Sequence, residues 1–151
     1  MLKFQGSSHS INMGSPATFL LFNGSVVLLV GLLCGAPYGI AIVKKKSEEV
    51  IRAWKLAHGA LSLGATTMIA MASGFSILKS NENTLWGIAI SYIVSGYGFC
   101  FALTLEPFTG DRGLSWTGTS LNKMVYVGNI LGAVSSLIGT LILVCASYNS
   151  M

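Results

Sequence analysis

The chain has 151 residues, 52% of them hydrophobic and 9% charged, with a formal net charge of +4. A soluble domain carries about 25% charged residues, so most of this surface is not built for water, and one domain is the natural count at this length. The basic excess is not a nucleic-acid footprint: Lys44, Lys45, Lys46, Arg52 and Lys55 cluster between two apolar runs, with no groove-reading element beside them, and basic residues next to spans are read first as topology signals.

In chain order, residues 1–15 form a polar, Gly/Ser-rich tail holding Lys3 and His9, without the basic-then-apolar order of a secretory signal. Four apolar runs follow, at about 17–43, 53–78, 85–105 and 124–147. Each is close to the roughly 20 residues a bilayer core requires. Barrel strands alternate every second residue, and these runs do not. Helices also satisfy their own backbone groups, as lipid demands. The predicted fold is an all-α integral membrane bundle of four transmembrane helices.

Loop one carries the lysine cluster, loop two only Lys79, and loop three Arg112 and Lys123. Four spans put loops one and three on one side, and the positive-inside rule makes that side the cytosol. Loop three holds Pro107, Gly110, Asp111, Gly113 and Trp116, a turn-rich composition that predicts more than a tether. In the fourth run Gly128 and Gly132 form a GxxxG, continued on the same face by Ser136 and Thr140. Small residues let helix backbones approach closely, which predicts packing within the bundle. Cys34, Cys100 and Cys145 each lie in a separate apolar run without metal or redox spacing. They are expected to be small buried hydrophobes.

One residue inside a span can do acid–base or metal chemistry, and that is His58. Ionisable groups within membrane helices are costly and mark function by default. The bland alternative is a neutral imidazole satisfied by a backbone or hydroxyl group of another helix. Helical spacing places Trp54, His58, Ser62, Ala65, Thr66 and Ile69 on one stripe, mostly small or hydroxylated around the ring. That leaves space for something flat and bulky. Zinc would want three or four protein ligands, which the spans do not supply. Haem iron needs only one, because the porphyrin supplies four. A five-coordinate haem with an open position fits this inventory best, and such iron can act as a Lewis acid.

The segment containing Trp54, Ala57 and His58 resembles the W-x-x-A-H stretch of the styrene oxide isomerases. Asp111, Arg112, Gly113 and Leu114 resemble that family's N-R-G-L segment, at matched spacing. The resemblance implies a homotrimer of four-helix protomers, each binding haem b at a subunit interface with His58 as axial ligand. It implies a small apolar epoxide-like substrate, opened and rearranged to a carbonyl by a 1,2-shift (a Meinwald rearrangement). Where the family carries a pocket Asn, Asp and Tyr, this chain has Gly64, Ser95 and Leu103. Tyr97, with Ser95 and Asn129, is the expected substrate contact, and Trp54, Ser62 and Arg112 are expected beside the haem, Arg112 on a propionate.

Two other readings stay open. One is a non-catalytic haem protein, whether sensor, electron carrier or accessory subunit. The other is a trimeric glutathione or eicosanoid enzyme. Arg52, Ala53, Ala57 and His58 echo that family's second helix, but the Asn and Glu expected after the histidine are absent.

Overall fold

The computed structural model describes residues 14–109 and 112–151. Residues 1–13 of the polar tail, with Lys3 and His9, and Gly110 and Asp111 of loop three lie outside the described residues. The described residues are helical, without strands. They comprise α1 (Pro16–Leu33), α2 (Gly35–Val43), α3 (Glu48–Gly74), α4 (Glu82–Leu105) and α5 (Ser120–Tyr148), with short 3₁₀ turns after α3 and α4. Four segments, Pro16–Val43, Glu48–Ile77, Glu82–Phe108 and Ser120–Tyr148, are long and apolar enough to cross a membrane.

α1, α4 and α5 start where the sequence offers a cap, one to four residues outside their apolar runs. The Thr18 N–H donates to Ser15 Oγ ahead of Pro16, Thr84 N–H to Asn81 Oδ1, and Asn122 N–H to Thr119 Oγ1. The second span begins at Glu48 and not near 53, because Glu48 and Glu49 complement the positive end of the helix dipole. The first span is interrupted at Cys34, three residues before Pro37. Proline has no N–H for the carbonyl four residues back, and its ring crowds that turn.

Packing follows membrane logic. Large side chains such as Leu33, Val43, Leu63 and Leu137 face outward, while Ala57, Ala65, Ala89 and Ala102 are buried. Without a hydrophobic drive between helices in lipid, close backbone approach supplies the contact. On α4 and α5 the expected small-residue stripe does this within the chain. A Cβ on Gly98 would lie 3.0 Å from Gly132 N, and one on Gly132 would meet the Phe99 ring at 2.9 Å. On α1 and α3 a Cβ at Gly31 would sit 2.8 Å from the backbone N of Ser62. The chain thus folds as two helical hairpins, α1/α2 with α3 and α4 with α5, joined through α4, on which both α1 and α3 pack. Cys34 and Cys100 are buried free thiols, as expected, whereas Cys145 is exposed on the outer face, a correction to its reading as buried.

Loop three is built, as its composition predicts. Asn122, 2% exposed, accepts from Gly113 N–H through Oδ1 and donates through Nδ2 to the carbonyls of Ser115 and Thr117. The loop-one and loop-three ends meet: Trp54 stacks edge-on against Phe108 at 5.8 Å between ring centroids.

Candidate functional site

Two features stand out, and they lie on different faces of α3. The first is His58. Its Nδ1 lies 2.8 Å from the carbonyl oxygen of Gly31 on α1. A carbonyl only accepts, so Nδ1 carries the hydrogen and Nε2 keeps a free lone pair. The imidazole can reach this carbonyl because Gly31 brings α1 against α3. Gly35, a turn further on, leaves the ring unobstructed: a Cβ there would lie 3.3 Å from Cε1 and Nδ1. The ring is half-buried. The bland reading of this histidine therefore accounts for one nitrogen only. The other is oriented as a ligand nitrogen, in the arrangement metal-binding histidines use.

The second feature is a cavity of about 860 Å³ between α3 and α5, in front of α4. It is large enough for a drug-sized apolar ligand. Gly64, Ser95 and Leu103 all line it, as do Tyr92, Phe99 and Asn129. The three positions where the resemblance placed pocket residues thus converge on one wall, from two different helices.

Its chemistry is mostly apolar, because the polar groups of the wall are engaged by the helices themselves. Ser95 O–H donates to the Gly132 carbonyl at 2.8 Å, and Asn129 Nδ2 to the Gly113 carbonyl at 3.4 Å. Tyr92 Oη and Thr140 Oγ1 share a hydrogen bond of 2.6 Å. A Cβ on Gly64 would meet nothing within 4 Å, so this part of the wall is open.

The other expected residues divide between the two features. Trp54, His58 and Ser62 belong to the same stripe of α3, and Ser62 Oγ is buried beside Gly31 without a hydrogen-bond partner. Arg112 lines the cavity, whose walls do not include His58. Tyr97 stands apart from both. Its hydroxyl donates to Asn23 Oδ1 on α1 at 2.8 Å, and it is not in the cavity wall. That hydrogen bond links α4 to α1. Tyr97→Phe should then cost about 0.6 kcal/mol of stability, the average for such bonds in membranes. Thermal unfolding in detergent would show it, with ligand binding in the cavity unchanged.

Sequence reasoning missed two cavity residues, Arg52 and Glu106. Arg52 looked like one more charge of the basic loop. The signal for Glu106 was a lone acid at the end of a span, next to Pro107.

None of the curated proteins and none of the solved structures matches the chain. A family model described as styrene oxide isomerase matches residues 17–148, from the first turn of α1 to the last residue of α5. That match takes in His58, Gly64, Ser95, Leu103 and the described part of loop three. The chain, a helical bundle with four segments long and apolar enough to cross a membrane, thus belongs to the styrene oxide isomerase family.

Proposed function

We propose that this chain is a haem b-dependent membrane isomerase that converts a small apolar epoxide to its carbonyl isomer by a 1,2-shift. The observation that carries the reading is the free Nε2 of His58, with Nδ1–H fixed on the Gly31 carbonyl. The donor set fits the group: one neutral imidazole, oriented by a backbone carbonyl and bordered by Gly35, is what a single axial ligand requires. Bound there in its ferric state, haem supplies a Lewis acid toward an epoxide oxygen, with no net oxidation or reduction.

The chain's own residues do the rest. His58 holds the group, and Trp54 and Ser62 flank it on the same helical stripe. The Gly31 carbonyl fixes Nδ1 as the hydrogen-bearing nitrogen and holds the ring in place. Phe99, Leu103 and Met68 wall the cavity with hydrocarbon, which excludes the water that would divert a ring-opened epoxide to a diol. Gly64 leaves room for substrate bulk. Because His58 is not in the cavity wall, the reading requires a homotrimer in which haem sits where protomers meet, between the imidazole of one and the cavity of its neighbour. Loops one and three then face the cytosol, where the lysine cluster belongs.

A second reading is favoured by one observation, the engagement of Ser95 and Asn129 by backbone carbonyls. With those groups occupied, the chain would be a haem-carrying membrane protein without turnover. The test is the absorption spectrum of the detergent-purified protein, followed by incubation with an aryl epoxide. A Soret band with aldehyde formation supports the isomerase. A Soret band with redox cycling and no turnover supports the carrier, and a protein that takes up no haem removes both.

A further inference from the structure

The large cavity ends in a charged corner. Arg52, Glu106 and Arg112 line both this cavity and a smaller polar one of about 370 Å³ at the loop end of the bundle. Glu106 is only 8% exposed, and its carboxylate has no hydrogen-bond or ion-pair partner among the described residues. The two guanidinium groups also close no ion pair with a described residue. Elsewhere the wall's polar groups are neutral, and several are engaged: Ser95 bonds Gly132, Tyr92 bonds Thr140, and Thr67 O–H donates to the Leu63 carbonyl at 3.0 Å. The corner is where the wall keeps unpaired charge for a ligand.

Charge decides what kind of ligand. Among the described residues that line the large cavity, two guanidinium groups and one carboxylate sum to +1. Glu49 lines only the outer polar cavity and not the apolar chamber. A ligand ammonium would add to the excess, and a neutral hydroxyl would leave it in place. A carboxylate brings the corner to neutrality, and guanidinium grips carboxylate with two parallel hydrogen bonds. The adjoining apolar walls then take a hydrocarbon body.

We propose that Arg52 and Arg112, balanced by Glu106, bind the carboxylate of an apolar ligand whose body occupies the large cavity. This rests on the cavity being the ligand chamber of the proposed function. Two ligands carry that chemistry: an acid-bearing substrate, and haem through a propionate.

The full-length protein in detergent is titrated with dansyl-undecanoic acid and with its methyl ester, following dansyl fluorescence. The acid should bind about tenfold more tightly than the ester. Arg52→Gln and Arg112→Gln should each remove most of that preference and leave ester binding unchanged, which shows that the variants are folded. Glu106→Gln, which removes a like charge, should tighten acid binding. Equal binding of acid and ester, or an acid preference that survives both arginine variants, overturns the proposal.

Haemin and its dimethyl ester, titrated by the Soret band, separate the two sources. A preference for haemin that disappears in the arginine variants assigns the corner to the propionate. A haemin affinity indifferent to those variants, beside an arginine-dependent acid probe, assigns it to a substrate carboxylate. A protein that binds haem through His58 and isomerises aryl epoxides without any acid preference overturns this inference alone. Arginine-dependent acid binding by a protein without haem or turnover overturns the proposed function alone.

Discussion

His58→Ala should abolish the Soret band of the purified protein and, with it, conversion of an aryl epoxide to aldehyde. The loss should be complete, because the four spans hold no second histidine to replace the ligand. Imidazole added to the His58→Ala protein should restore part of the band, since the cavity left by the side chain accepts the free ring. That rescue separates loss of a ligand from loss of fold. Gly31→Ala makes the same point without touching the imidazole. Its Cβ would meet the backbone N of Ser62 at 2.8 Å and the Cβ of Leu61 at 3.0 Å, so α1 and α3 must part. The carbonyl that orients His58 moves with them, and haem affinity should fall by about 10- to 100-fold, the usual effect of losing such an orienting partner. Haem retention in Gly31→Ala equal to wild type would show that the Nδ1 bond is incidental.

Gly113→Ala should be the most destabilising single change in loop three. Gly113 has φ +58°, a left-handed conformation that costs a residue with a Cβ about 1–2 kcal/mol. The new Cβ would also overlap Cγ1 of Val125 and lie 2.8 Å from its Cβ, and that branched, fully buried side chain cannot swing aside. Overpacking of this kind adds about 1–3 kcal/mol. Gly113 N–H is held by Asn122 and its carbonyl accepts from Asn129, so the strain spreads to the start of α5. The melting temperature in detergent should drop well below that of wild type. Arg112, the neighbouring residue, should lose its place in the cavity wall, lowering acid-probe binding in the protein that remains folded. A Gly113→Ala protein of unchanged stability would contradict the left-handed geometry.

The four spans were legible in the sequence because a bilayer demands length and apolarity, and both are properties of a single segment. His58 was legible for a similar reason: one histidine in a span needs no partner to be conspicuous. Its orientation was not, since it depends on Gly31 and Gly35 of another helix bringing a carbonyl and a gap to the ring. Ser95 and Tyr97 show the same limit. They are two residues apart on α4 and so face different ways, one toward Gly132 on α5 and the other toward Asn23 on α1. Grouping them by proximity in sequence placed Tyr97 in a cavity it does not reach. Glu106 and Arg52 belong to separate spans, and only the meeting of the two loop ends gives them a common corner.

The two hairpins give the cavity a particular mechanical status. It lies along the seam between them, where α3 of one faces α5 of the other without packing against it. The width of that seam is set where α1 and α3 both lean on α4, and where Tyr97 ties to Asn23 like a strut. Each hairpin can keep its own glycine-tight contact while the spacing between the two is retuned. Substitutions on those contacts would then reshape the cavity without lining it.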